Sequence, residues 1–307
     1  MLNQTVKTDK TEFDKVFLEI EHNETLCVGN NRELKFFMLD IENNNYCYYR
    51  MFEILKRNLG RYALSRKEFD KDPEMAISKA ISRFHEIQNA GTGAGGELGE
   101  ILLYMFLETV LGAPKLLSKM ELKGTRNQYN YNSDAVHFFS FQTENGQHNQ
   151  IILCESKLIG DVNDAITNAF KSLQISLKNR DYDFSLVSTE IFKETISEKE
   201  AEYIIEQIVP NLTSDYINNV IKETAAGIFI GYNQEVNPCD DTIQTRKKNV
   251  EAIRALIPQI TQKLNTEIKK AQLEGMSFYI FFLPFNKVDA DRANIMDQLL
   301  NNSSYKV

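Results

Sequence analysis

Residues 149–159 read NQIILCESKLI, an apolar run of strand length that ends in a glutamate and a lysine two residues apart. Continuous rather than alternating hydrophobicity over so short a run marks a strand covered on both faces. Side chains alternate along a strand, so Glu155 and Lys157 project to one side, with Ile151 and Leu153 deeper on that same side. The charged pair stands where a buried strand emerges.

Working outward, SDAVHFFSFQ (133–142) is a second strand candidate, and TENGQH between the two, with Asn145-Gly146 at its tip, predicts a β-hairpin. That pairing brings Asp134 near Glu155 across the ladder. KLLSKMELK (115–123) gives a third strand. Before it, ELGEILLYMFLETVLG (97–112) is apolar on nearly every face, which predicts a buried helix stopped by Gly112 and Pro114. After the hairpin, a helix runs from Asp164 to about Lys178, capped by Asp161 or Asn163, with Ala165, Ile166, Ala169, Phe170, Leu173 and Leu177 on one face. AAGIFIGY (225–232) and FYIFFLPF (278–285) are buried strands around a long helix over 246–273. Helix, three strands, helix, strand, helix, strand is an α/β layout with a mixed central sheet covered by helices on both faces.

The flanks read less clearly. FDKVFLEI (13–20), TLCVG (25–29) and ELKFFML (33–39) are strand-like, and helices are predicted over 44–58 and 73–87, the second with Asp72 as N-cap and Pro73 at its first position. Residues 180–222, with FSLVST and a helix near 198–208, read as a helical insertion. The expected division is an N-terminal α/β region over 1–90, suited to partner docking or regulation, and a core over 91–307 that carries the insertion.

The composition, 307 residues with 42% hydrophobic and 25% charged, is that of an ordinary globular chain. The longest apolar runs, such as MSFYIFFLPF, fall short of the roughly 20 residues that span a bilayer, and the N-terminus lacks an apolar signal core. The expectation is a soluble cytoplasmic protein with no membrane association. A net charge of −8 excludes coating of nucleic acid by bulk electrostatics. Four scattered cysteines with no CxxC pair support neither a disulfide framework nor a zinc site. GTGAGG (91–96) fits GxGxxG but follows a helix and precedes acids that repel phosphate. No GxxxxGK[ST] occurs, so any ATP-driven motor belongs to another chain.

The chemistry lies in the acids. Asp134 and Glu155 at neighbouring strand ends disfavour each other's ionisation unless a cation lies between them, which makes the pair a natural Mg²⁺ site, with Mn²⁺ as a substitute. An ammonium such as Lys157 beside a metal-bound water orients it for attack on a phosphodiester. Glu97 and Glu100 share a helical face in the first turn of the buried helix, and one of them can add a further ligand. Lys119, Lys123 and Arg126, with Lys115, are either a solvated charged edge or contacts to a DNA backbone. His137 falls on the opposite strand face from Asp134, as a core residue rather than a ligand.

GELGE, SDAVH and CESK, in that order on helix, strand and strand, resemble the PD-(D/E)xK nuclease superfamily. The longer stretch from Gly96 to Leu173 (GELGEILLYMFLE, LLSKMELKGT, NSDAVH, LCESKLIGDVNDAITNAFKSL) is similar to the HamA family, effector nucleases of Hachiman antiphage defence systems. Tyr62-Ala-Leu-Ser-Arg adds a fainter match, and Asn132 departs from it where a small residue is expected. The resemblance implies a restriction-endonuclease-like core and a metal-dependent DNase held in check by a HamB-type helicase subunit. Asp134, Glu155 and Glu97 or Glu100 would then bind Mg²⁺, and Lys157 would assist the water. The alternatives are a stand-alone restriction or repair endonuclease and a catalytically silent subunit that recruits or regulates a helicase.

Overall fold

A computed structural model of the chain describes residues 2–29, 32–89, 96–123, 133–144, 146–179, 198–199, 201–202, 221–301 and 305. The chain begins with α1 (Lys10–Val16), β1 (Phe17–Ile20), β2 (Arg32–Leu39) and a small hairpin of β3 (Ile41–Glu42) and β4 (Asn45–Tyr46). Three helices follow, α2 (Tyr48–Ala63), α3 (Arg66–Lys71) and α4 (Ala76–Asn89). Next come α5 (Glu97–Phe106), which runs on into a π-helical turn (Leu107–Leu111), β5 (Lys115–Ser118) and α6 (Lys119–Lys123). The remainder is β6 (Ala135–Thr143), β7 (Gly146–Leu158), α7 (Val162–Lys178), β8 (Ile221–Asn233), α8 (Thr242–Lys270), β9 (Ser277–Phe285) and α9 (Val288–Leu300).

Seven strands form one sheet in the order β1-β2-β9-β8-β7-β6-β5. Pairing is parallel from β2 through β7 and antiparallel at both edges. The mixed sheet with helices packed on it is the predicted layout, and β1 and β2 extend the same sheet that the later residues build. The two central strands read as continuous apolar runs because both faces are covered: all nine residues of β9 are buried. Every residue of α5 is buried as well, Glu97 and Glu100 included, so a mostly apolar helix packs against β7 and β8. Its continuation closes at Gly112, whose φ of 74° suits glycine and ends the helix as predicted.

Several boundaries differ from the sequence reading. Residues 10–16 are helical, started by Asp9, whose carboxylate accepts from Glu12 N–H, so only 17–20 of the predicted first strand is strand. Residues 25–29 form no strand. The helix expected over 44–58 is α2, shifted to Tyr48–Ala63 by the β3–β4 hairpin. Asp72 closes α3 instead of opening α4, and its carboxylate pairs with Lys79 at 2.8 Å. The strand expected over 115–123 stops at Ser118, because Ser118 Oγ accepts from Glu121 N–H and begins α6. In the hairpin, Thr143 pairs with Gly146, one residue off the predicted tip. FSLVST and most of the 198–208 helix lie outside the described residues. Among the described residues no helix is long and apolar enough to cross a membrane.

Candidate active site

Register decides which side chains meet. Ala135 pairs with Cys154, so Asp134, just before β6, sits level with the Glu155 end of β7. Asp134 is fixed there by the strand edges: its N–H donates to Cys154 C=O, and its C=O accepts from Lys119 N–H, both at 2.9 Å. Its carboxylate Oδ2 accepts from Ser156 N–H at 2.8 Å and Ser156 Oγ–H at 2.9 Å. One oxygen is thereby held by β7, and the other, Oδ1, lies 3.8 Å from Lys119 Nζ.

Glu155 projects from the other face of β7. Its Oε1 accepts from Ser176 Oγ–H, near the end of α7, at 2.9 Å, and its Oε2 accepts from Lys157 Nζ at 3.3 Å. The predicted shared side of Glu155 and Lys157 is therefore observed. Glu155 is 2% exposed at its side chain and Lys157 23%, so the acid is sunk and the ammonium reaches the rim. Burial, followed by the charge of Asp134, pushes the Glu155 carboxyl up to about 7, against the pull of Lys157 and Ser176. Glu155 thus feels the charge of Asp134. The thiol of Cys154 between them is driven well above its ordinary range by burial and by both carboxylates.

The α5 glutamates approach from beneath. Both are buried and both lie in the first turn, as predicted. Between them Gly99 packs against β7 so closely that a Cβ would stand 3.0 Å from Ser156 Oγ and would overlap Leu158. Glu100 Oε2 accepts the Tyr62 hydroxyl at 2.5 Å. Burial raises Tyr62 well above its ordinary range, and the charges of Glu100, Asp134 and Glu97 add to that in decreasing order. The Tyr62 hydroxyl is therefore bonded to Glu100 and lies in the field of Asp134 and Glu97. Glu97 also lines a cleft of about 290 Å³ with His85, Arg292 and Asp297.

This donor set is all oxygen and suits a hard cation. Among the described residues no group of three or more His, Cys, Asp and Glu side chains is gathered to hold a metal by itself. Mg²⁺ asks for less, since it takes one or two carboxylates and fills its octahedron with water and substrate phosphate. Asp134 and Glu155 fit that requirement.

Across the chain, the family model that matches is HamA, over residues 13–299. The chain belongs to the HamA family. Membership associates it with Hachiman antiphage defence. A search of curated proteins found no match.

The cations predicted around this HamA-family site divide. Lys119 stays 31% exposed at its side chain, beside Asp134. Lys115 is not a surface cation: it is buried, ion-paired with Glu121, and donates to the carbonyls of Arg61 and Tyr62 at 2.8 Å and of Leu64 at 3.2 Å. It caps the end of α2, which needs donors for its last carbonyls. The side chain of Lys123 and all of Arg126 lie outside the described residues. His137 is a core residue, as expected, its Nδ1–H donating to Ala113 C=O at 2.8 Å and burial drawing its pKa down to about 3. Ser156, Ser176 and the role of Tyr62 are not visible in the motifs, because short hydroxyl side chains carry no pattern until the elements meet.

Proposed function

We propose that this HamA-family chain is a Mg²⁺-dependent DNA nuclease with a PD-(D/E)xK core, acting as the effector of a Hachiman system under the control of a HamB-type helicase. The observation that carries the reading is the acid-rich end of the β6–β7 hairpin, where register sets Asp134 level with Glu155, the charge of Asp134 adds to burial in raising the Glu155 carboxyl, and Lys157 stands beside Glu155 at the rim. The run α5, β5, α6, β6, β7, α7, β8, with β8 parallel to β7, supports the restriction-endonuclease-like assignment.

Asp134 and Glu155 are the residues to hold the ion, with Glu97 or Glu100 shaping its surroundings. When bound, Mg²⁺ supplies Lewis-acid polarisation of the phosphate and acidifies water. Ser156 and Ser176 fix one oxygen of each carboxylate, which leaves Asp134 Oδ1 and Glu155 Oε2 as the oxygens facing cations. Lys157 orients the attacking water and shields its developing negative charge, and Lys119 neutralises a non-bridging phosphate oxygen. A new P–O bond forms from water as the bond to the leaving sugar oxygen breaks.

The test is plasmid degradation by the purified chain, alone and with its helicase partner, in Mg²⁺ and in EDTA. Cleavage that needs Mg²⁺ and is lost in both Glu155→Ala and Lys157→Ala is the expected result. Unchanged cleavage in those variants sinks the site. No cleavage in any condition favours a binding subunit, and activity with no helicase co-purifying favours a stand-alone endonuclease.

A further inference from the structure

A second charged feature lies at the far end of β5. Arg61, in the last turn of α2, and Arg66, the first residue of α3, line a cleft of about 220 Å³ with Asn3, Gln4, Ser65 and Asp70. In this acidic chain most described arginines find a carboxylate: Arg50, Arg57, Arg83, Arg246 and Arg292 are all ion-paired. Arg61 and Arg66 are not. Arg61 stacks on the Phe69 ring, 4.0 Å from its centroid, and Arg66 Nη2 donates to Lys115 C=O at 3.2 Å. The Nε–H of each is buried without a hydrogen-bond partner among the described residues, and Asp70 forms no ion pair with either. Both residues are half-buried, and two guanidinium forks held in place without a counter-charge among the described residues suit an anion in the cleft.

The cleft is constructed rather than incidental. Its outer wall is the N-terminal strap, which the buried Glu108 pins by accepting from Thr5 N–H, Thr5 Oγ–H at 2.8 Å and Val6 N–H at 2.6 Å. Asn3 adds an exposed amide, and Ser65, whose Oγ accepts from Glu68 N–H, keeps its hydroxyl hydrogen to donate. The volume is below the roughly 300 Å³ at which pockets for drug-sized molecules begin, and the lining is polar. Paired planar forks match the tetrahedral oxygens of a phosphate better than a single carboxylate, which one fork satisfies.

We propose that Arg61 and Arg66 form a phosphate-binding pocket for a nucleic-acid strand. Its chemistry stands apart from the nuclease reading; its place relative to the scissile bond rests on that reading. Arg66 is anchored at Lys115, where β5 begins, and Lys119 follows β5 beside Asp134. Four strand residues at about 3.3 Å each span about 13 Å. A phosphate held in the pocket therefore belongs to a nearby nucleotide of the same strand that reaches Asp134 and Glu155.

The experiment measures binding in EDTA by the Glu155→Gln chain, so that a failure of Mg²⁺-dependent cleavage leaves it unaffected. Labelled 12-nucleotide strands with a 5′-phosphate or a 5′-hydroxyl are followed by fluorescence anisotropy, with inorganic pyrophosphate and an acidic peptide as competitors. Adding Arg61→Gln or Arg66→Gln is expected to weaken strand binding about tenfold and to abolish competition by pyrophosphate. Asn3→Asp, on the exposed strap, places negative charge in the cleft without touching either arginine and is expected to act in the same direction. Loss of a 5′-phosphate preference identifies a terminal phosphate, and equal weakening of both strands identifies a backbone phosphate. Either supports the pocket. Strand binding unchanged in all three variants, no binding by the parent chain, binding of pyrophosphate without the strands, or competition by the acidic peptide alone overturns it.

Discussion

Ser176 donates its hydroxyl hydrogen to Glu155 Oε1 at 2.9 Å across the interface between α7 and β7, and the side chains of both residues are buried. This bond helps keep a carboxylate ionised where burial opposes it. Ser176→Ala is expected to cost about 1 kcal/mol of stability and to raise the Glu155 pKa further. The check is the pH at which Mg²⁺ affinity, measured calorimetrically, reaches half its maximum. An upward shift with the fold retained supports the positioning role, and an unmoved profile refutes it.

Glu155 itself is expected to make the protein less stable as pH rises. Its folded pKa, about 7, lies above the ordinary carboxylate value, so between pH 4.5 and 7 the folded state holds a proton that the unfolded chain has released. Stability falls with rising pH across that window, by up to about 3 kcal/mol at 1.36 kcal/mol per unit. Urea unfolding of the parent and of Glu155→Gln at pH 5 and pH 7.5 measures it, and the variant is expected to lose less stability between the two. Mg²⁺, which favours the ionised form, is expected to restore stability to the parent at pH 7.5 and not to Glu155→Gln. Equal pH slopes in the two proteins count against the assignment.

The acids differ in how openly the chain announces them. Glu155 and Lys157 follow from period-two alternation at the end of an apolar run, and Asp134 follows from the hairpin. Glu97 and Glu100 follow from helical spacing. All of these are local, within a turn or one ladder. The Tyr62–Glu100 bond spans 38 residues and the Ser176–Glu155 bond 21, and each depends on how a helix sits against the sheet, which no short pattern encodes. One signal was present and unread: Ser118-x-x-Glu121 has the capping-box spacing, and Ser118 does accept from Glu121 N–H, while the β-compatible KLLS before it extends the apparent strand to Lys123. Lys115 reads as a surface cation for the same reason, since its partners lie at the end of α2, on its C-cap Leu64 and on α6.

Gly99 is the second position where a small change is expected to reach the site. A Cβ there meets Ser156 Oγ at 3.0 Å and overlaps the tip of Leu158, so Gly99→Ala must displace the Leu158 and Ser156 side chains or move α5 off β7. Overpacking of this kind costs about 1–3 kcal/mol. Ser156 also holds Asp134 Oδ2 through two hydrogen bonds, so the displacement carries into the acid pair. Cleavage by Gly99→Ala is expected to fall more than tenfold at limiting Mg²⁺ and to recover partly at high Mg²⁺. A variant with parent-like Mg²⁺ dependence shows that the contact serves packing alone.

Lys115 and Glu121 test how α2, and with it Tyr62, is kept over the site. The pair is fully buried, and burial lowers the lysine pKa and raises that of the glutamate, each against the pull of its partner. Lys115→Met leaves Glu121 buried without its cation and strips donors from the Arg61, Tyr62 and Leu64 carbonyls. Removing one partner of such a pair costs about 3–5 kcal/mol, whereas replacing both with apolar side chains is often close to neutral. Urea denaturation is therefore expected to show a large loss for Lys115→Met. In Lys115→Met/Glu121→Leu the loss should be only partly reversed, because the capped carbonyls stay without donors. Full recovery in the double variant would mean that those three hydrogen bonds contribute nothing net and that Tyr62 is positioned by its bond to Glu100 and its core packing.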